Sequence, residues 1–171
     1  TLRWLENLIK EAGESLGFPM IIKEEFGSFG KQVYLADDRE SAKKTVRNLG
    51  YKGFIMQEFI SESRGRDLRI NVVGSSAVTA VIRQNPNDFR SNIENGGFTT
   101  KIGITKEQEA LAVAAARALG LDFAGVDILF SENGPNLVCE VNSNPHFKGA
   151  FDCTGINLGD GIMEYILKKL R

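Results

Sequence analysis

The chain is poor in the residues that carry nucleophilic and soft-metal chemistry. Its 171 residues include one histidine, His146, and two cysteines, Cys139 in an apolar strand pattern and Cys153 in a polar stretch. That excludes a disulfide framework and a thiolate zinc site, and it leaves room for one histidine-dependent triad at most. Any metal is expected to take oxygen ligands. A basic excess is missing as well: 21 Lys and Arg stand against 22 Asp and Glu, a formal net charge of −1. Such a balance offers no footprint for a phosphate backbone, so nucleic acid is not an expected partner. Long apolar runs are also lacking. The longest, Ala110 to Leu121, is broken by Arg117 and reads as an amphipathic helix, and no signal-peptide pattern opens the chain. The expectation is a cytoplasmic protein without a membrane partner. The chain starts in helical sequence without a methionine, as expected of a piece of a longer protein.

What is present alternates helices with hairpins. Leu2, Leu5, Leu8 and Ile9 mark one face of an opening helix. Met20 to Lys23 and Val33 to Ala36 read as strands flanking a glycine-bearing loop, Gly27 to Gly30. A helix is expected from Asp38, with Ala42, Val46 and Leu49 inward and Gly50 at its end, followed by a strand over Phe54 to Glu58. Leu68 to Val73 and Ala77 to Arg83 form a hairpin around Gly74-Ser75-Ser76, and Asp88 to Lys101 reads as a polar loop. Thr105 and Gln108 make a capping box ahead of a helix carrying Leu111, Ala114, Ala115 and Ala118 and ended by Gly120. Strands at Val126 to Phe130 and Leu137 to Val141, a loop, and a last helix carrying Ile162, Ile166 and Leu170 at four-residue spacing complete the pass. Hairpin-joined strands with helices between them favour an α+β fold over a doubly wound parallel sheet.

Chemistry concentrates where acidic groups interrupt apolar strands. In Gly125-Val126-Asp127-Ile128 and Val138-Cys139-Glu140-Val141-Asn142, alternation puts Glu140 and Asn142 on one face. A hairpin turning at Asn133-Gly134 sets Asp127 directly across from Glu140. Like charges so placed destabilise a sheet unless they are neutralised, and a hard divalent cation does that with two carboxylates, an amide oxygen and substrate phosphates as ligands. The bland counterpart is a solvent-facing acid pair with Asn142 as a turn residue.

A second signal, Lys23-Glu24-Glu25-Phe26-Gly27-Ser28-Phe29-Gly30-Lys31, is not a Walker A motif, since Glu25 stands where the first glycine belongs. Its glycines and serine suit a hairpin tip whose N–H groups cover phosphate, with Lys23 adding a point charge. Most such hairpins are merely turns. Glu58 in Gln57-Glu58-Phe59-Ile60 is placed to accept from an adenine amino group, with the backbone at Phe59 or Ile60 reading the ring edge, or else is a strand-end acid in solvent. Arg83, Asp88 and Arg90-Ser91-Asn92 complete the polar set, or belong to a solvated loop.

In order and spacing, Met20-Ile21-Ile22-Lys23, Gln57-Glu58-Phe59-Ile60, Gly65-Arg66-Asp67-Leu68-Arg69, Asp88-Phe89-Arg90-Ser91-Asn92, Ala124-Gly125-Val126-Asp127 and Glu140-Val141-Asn142-Ser143-Asn144 resemble the ATP-grasp ligases of the ribosomal protein S6 modification type. The resemblance runs from about Gly17 to the final helix. It implies two α/β lobes with antiparallel sheets clamping ATP: residues 1–60 as a partial N-terminal lobe with the glycine loop and adenine hinge, and 61–171 as the lobe of the phosphate and metal site. It implies ATP contact by Lys23, by Glu58 and Phe59 at the adenine, by Asp67 near the ribose, and by Arg90, Ser91 and Asn92 beside phosphate and substrate. Asp127, Glu140 and Asn142 match ligands of magnesium or manganese, two ions in all, and Arg83 is the candidate for stabilising the transition state at the acylphosphate.

The implied activity is an ATP-dependent carboxylate-amine ligation that joins glutamate or another amino acid to a protein or small molecule. The partners are then ATP, a carboxylate and an amine. One departure is Ser143-Asn144-Pro145-His146-Phe147 where the family has a serine, proline and glycine run, which changes the acceptor pocket. A lysine expected from the missing start of the nucleotide lobe is also absent. The chain by itself is therefore expected to bind Mg-nucleotide weakly and not to ligate at a useful rate. The rival from another class is an ATP-binding regulatory or partner-binding module without ligase activity. A third reading keeps the fold and changes the reaction, to D-amino-acid dipeptide ligation or cofactor glutamylation.

Overall fold

The structure is a computed structural model, and it describes residues 2–28, 30–93, 96–132 and 134–171. It divides into two compact units, Thr1–Ser61 and Glu62–Arg171. All strand pairs are antiparallel, as an α+β fold requires.

The first unit contains α1 (Leu2–Leu16), β1 (Met20–Glu24), β2 (Val33–Ala36), α2 (Arg39–Leu49) and β3 (Phe54–Glu58), with the sheet ordered β2-β1-β3. Helix α2 starts where Asp38 caps it: Asp38 Oδ1 accepts from Ser41 N at 2.8 Å and Ser41 Oγ accepts from Asp38 N at 3.0 Å. One face of the sheet buries Met20, Ile22 and Ala36 against Leu5 and Ile9 of α1 and Ala42, Val46 and Leu49 of α2. Strand alternation leaves Ile21 and Lys23 on the other face, next to Val33 and Leu35 of β2 and Ile55 and Gln57 of β3.

The second unit opens with a 3-10 turn at Ser61–Ser63. It continues with β4 (Arg66–Val73), β5 (Ser76–Gln84), β6 (Phe98–Lys101), α3 (Lys106–Ala118), β7 (Phe123–Leu129), β8 (Leu137–Asn142), α4 (Lys148–Thr154) and α5 (Leu158–Lys169), in a sheet ordered β6-β5-β4-β7-β8. Leu68, Ile70 and Val72 of β4 and Ala124, Val126 and Ile128 of β7 bury one face against Ala112 and Ala116 of α3. Asp67, Arg69, Asn71 and Asp127 alternate with these residues and therefore share the opposite face.

Two expected loops need correction, and packing sets two helix faces. Phe98 to Lys101 is an edge strand, paired with Val81 to Gln84, and not loop; four residues are too few to show a period, although Phe-Thr-Thr has β propensity. Helix α3 buries Ala112 and Ala116, while Ala114 and Ala118 are exposed, because a run of alanines marks no face of its own. The loop after Asn142 contains α4. Helix α5 turns Leu158 inward and leaves Ile166 and Leu170 exposed; Gly161 and Tyr165 lie against Val78 and Gly74 on that inner side, which a search for aliphatic residues overlooks. Phe29, in the glycine loop, and Asn133, in the expected β7-β8 turn, lie outside the described residues.

Candidate active site

The second unit carries most of the polar residues singled out from the sequence, and they lie on the sheet face away from α3. Asp127 in β7 pairs in register with Glu140 in β8 and with Arg69 in β4, and Gly125 pairs with Asn142. The expected opposition of the two carboxylates is therefore present. Beyond Asp127 the register slips by one, with Ile128 opposite Val138, so Cys139 is the extra residue of a β-bulge.

The environments of the two acids differ. Asp127 is 6% exposed, and Glu140 is exposed. Two guanidinium groups enclose Asp127. Arg69 donates from Nε to Oδ1 and from Nη2 to Oδ2 at 2.9 Å, and Arg83 Nη2 lies 2.8 Å from Oδ2. Burial would push this carboxyl up, but Arg83 and Arg69 outweigh it and hold it below the ordinary carboxylate range.

Arg83 also donates from Nε to Asp67 Oδ1 at 2.8 Å and from Nη2 to Asp67 Oδ2, and Ser91 Oγ donates to Asp67 Oδ2 at 2.7 Å. Burial works against the charge on Arg83, yet the pull of Asp127 and Asp67 keeps its pKa above the ordinary arginine value. Ser91, Asp67, Arg83, Asp127 and Arg69 thus form one connected network of two buried acids, the buried Arg69 and the largely buried Arg83. The sequence reading put a cation as the remedy for the Asp127–Glu140 repulsion. In this structure the arginines already compensate Asp127. Arg69 was missed as a member of the site, although its place two residues after Asp67 on the same strand face marks it.

The loop between β5 and β6 is tied to the start of β4. Gly65 N donates to Phe89 O at 2.8 Å, and Asn85 N donates to Gly65 O at 2.7 Å. Gly65 has φ +66°, and a Cβ there would lie 2.4 Å from Asn85 O, so glycine is needed both for the backbone and for the approach. This anchoring brings Ser91 onto Asp67. Arg90 instead pairs within the loop, donating to Asp88 from Nε at 3.0 Å and from Nη2 at 2.8 Å, with its guanidinium over the Phe89 ring. The Arg90 hydrogen bonds hold Asp88 below its ordinary pKa, and those to Asp88 raise Arg90. Asn92 follows Ser91, half-buried.

In the first unit, Lys23 is half-buried on the face shared with Gln57. Glu58 is exposed and pairs with Met20, which places it by register on the other face. A ligand on the Lys23 side would meet Glu58 through its backbone. Phe59 is half-buried just beyond the strand. A shallow hollow of about 640 Å³ in this unit lies between α1 and β3, lined by Trp4, Leu8, Phe54 and Met56. It is lined mainly by apolar side chains and lies on the sheet face opposite Lys23.

The donors at Asp127, Glu140 and Asn142 suit a hard divalent cation: two carboxylates and an amide oxygen. Asn142 Nδ2 donates to Gly125 O at 3.4 Å, which leaves the amide oxygen as its ligand end. Among the described residues no group of three or more His, Cys, Asp and Glu is placed so that it could hold a metal ion. No helix among the described residues is long and apolar enough to cross a membrane.

The "Probable alpha-L-glutamate ligase" of Legionella pneumophila (strain Corby) is 42% identical over 169 residues, which are 97% of this chain and 55% of that protein. The "Probable alpha-L-glutamate ligase 2" of Shewanella amazonensis is 47% identical over 155 residues, 89% of this chain and 51% of that protein. The chain thus spans about half the length of the curated relatives it matches. Among solved structures, the ATP-grasp ligase PsnB complexed with a phosphomimetic precursor variant, Mg and ADP superposes with a TM-score of 0.75 at 18% identity, over 97% of this chain and 51% of that one. A RimK domain ATP-grasp protein from Sphaerobacter thermophilus gives 0.69 at 21% identity, over 94% and 57%. At such identities the likeness is one of fold, and it is the two-lobed antiparallel fold described above. The model of the RimK-like ATP-grasp domain matches residues 3–166, and the chain belongs to that family.

Proposed function

We propose that the chain is the nucleotide- and metal-binding part of an ATP-dependent carboxylate-amine ligase that adds glutamate or another amino acid to a protein or small-molecule acceptor. The observation that carries this reading is the buried Ser91, Asp67, Arg83, Asp127 and Arg69 network beside the exposed Glu140, in a chain matched by the RimK-like ATP-grasp model. In this reading residues 1–60 are the partial N-terminal lobe and 61–171 the lobe of phosphate and metal chemistry.

The reaction needs alignment and charge compensation, and no side-chain nucleophile. A substrate carboxylate oxygen attacks the γ-phosphorus while the bond to the ADP oxygen breaks. The acylphosphate formed is attacked at carbon by an amine, which loses a proton as phosphate leaves and the amide forms. Lys23 offers a charge for the phosphates, Glu58 and Phe59 the backbone beside the adenine, and Asp67 and Arg90-Ser91-Asn92 the polar edge for ribose and phosphate. Arg83 is proposed to stabilise charge at the transferred group, which for a preorganised, desolvated cation is the larger part of catalysis. Magnesium or manganese at Asp127, Glu140 and Asn142 supplies further neutralisation of phosphate charge when bound. Retention of all three of these residues weighs against the rival reading of a purely regulatory nucleotide module.

The test is ADP release from ATP by the full-length protein, not by this chain alone, with paired carboxylates and amines. Release that requires both together supports ligation. Nucleotide binding without such release, across a screen of amino acids and small acids, would favour the regulatory module.

A further inference from the structure

Asp127 has two guanidinium partners, and they are not equivalent. Arg83 reaches one of its oxygens and also donates to Asp67, so its single charge is shared between two buried acids. Arg69 reaches both oxygens of Asp127 from directly across the β4-β7 ladder, in the planar fork that guanidinium and carboxylate form best. Charge balance calls for a second cation, but any cation would satisfy it; the fitted two-point geometry goes beyond charge.

The surroundings of Arg69 are also shaped. A Cβ at Gly125 would stand 3.0 Å from Arg69 Nη1 and 3.3 Å from its Cδ, and 2.6 Å from Cβ of buried Pro145. The missing side chain makes room for the arginine, and Pro145 packs on the same spot. Gly125 further pairs with Asn142 and accepts the hydrogen bond from its Nδ2. Arg69 is thereby set against the same residue that seats Asn142, while its fork fixes Asp127.

We propose that Arg69 is a positioning residue that holds the Asp127 carboxylate in the orientation from which it shares a divalent cation with Glu140 and Asn142. The inference rests on the ligase reading above. A carboxylate gripped at both oxygens cannot rotate about its Cβ–Cγ bond. A lysine in the same place supplies the charge without the fork.

The experiment uses the full chain, with Mn²⁺ and ADP as probes. ADP affinity is measured by calorimetry over a series of Mn²⁺ concentrations for the natural protein, Arg69→Lys, Asp127→Asn, the double variant and Gly125→Ala, and each thermal midpoint is recorded without metal. The expected result is an Arg69→Lys protein that folds and needs at least about tenfold more Mn²⁺ for half-maximal ADP binding. In the Asp127→Asn background the same change should add nothing, since a residue acting through Asp127 has nothing left to position. Gly125→Ala changes no charge and crowds Arg69, so it should shift the Mn²⁺ requirement in the same direction, and it reads the proposal even if Arg69→Lys does not fold. An unchanged Mn²⁺ requirement in a folded Arg69→Lys or Gly125→Ala protein, or losses that add fully to those of Asp127→Asn, would overturn the proposal and leave the ligase reading standing. Absence of Mn²⁺-dependent ADP binding by the natural protein would remove both.

Discussion

Asp127 and Glu140 stand directly opposite each other on β7 and β8, yet Asp127 is buried between two arginines and Glu140 is exposed. Two acids with one proposed ligand role thus have different structural duties. Removing Asp127 strands the buried Arg69 guanidinium and leaves Arg83 to Asp67 alone, whereas removing Glu140 takes away an exposed charge.

Their alanine variants should therefore separate. Glu140→Ala is expected to lower Mg²⁺-dependent nucleotide affinity by about tenfold or more with stability changed by less than about 0.5 kcal/mol. Asp127→Ala should cost on the order of 3–5 kcal/mol of folding stability as well, the usual penalty for half of a buried ion pair. Calorimetry with ADP and urea denaturation of both variants check this. Equal stability losses would show that Asp127 is not the keystone of the network.

The same network sets an acid limit. The folded pKa of Asp127 is lowered by Arg83 and Arg69 against the opposing effect of burial, so its stabilising contribution is full above the unfolded value, about 3.9, and is lost as pH falls through the folded value. The unfolding midpoint in urea should be insensitive to this group between about pH 5 and 8 and drop steeply below about pH 4. Asp127→Asn should be less stable at neutral pH and show a shallower acid slope. Arg83, held above an already high value, should add no dependence on the alkaline side below pH 10.

Gly65→Ala is predicted to damage the loop that carries Ser91. Its φ of +66° and the carbonyl of Asn85 at 2.4 Å from a would-be Cβ put the cost at about 1–3 kcal/mol or more. With Ser91 drawn off Asp67, nucleotide affinity should also weaken. Urea denaturation and ADP calorimetry measure the two effects, and wild-type values in both would contradict the anchoring described here.

Lys23→Met keeps the stem on the strand face shared with Gln57 and Ile55 and removes the charge. Nucleotide affinity is expected to fall at least about tenfold, roughly 1.4 kcal/mol. A change within about twofold would make Lys23 a surface lysine without a role toward phosphate.

The strands and helices that follow local rules were legible. The start of α2 at Asp38, the Thr105 cap, the β4-β5 turn with Gly74 at φ +61°, and the pairing of Asp127 with Glu140 all occur as their residue types require. Elements without a local signature were not: the four-residue edge strand β6, the helix α4, and the inward face of α3, where only packing distinguishes Ala112 from Ala114.

The sequence by itself determined the antiparallel α+β class, the family motifs, and the opposition of two carboxylates across a hairpin, because these depend on side-chain period and on residues a few positions apart. Only the tertiary structure decided which charge answers which. Arg69 and Arg83 come from strands far from Asp127 in the chain, and Ser91 reaches Asp67 through a loop pinned at Gly65. The bulge at Cys139 and the room that Gly125 leaves for Arg69 and Pro145 likewise arise only once the ladders are in register. Hydrogen-bond partners and burial are properties of neighbours in space, and strand order, which no local pattern records, chooses those neighbours.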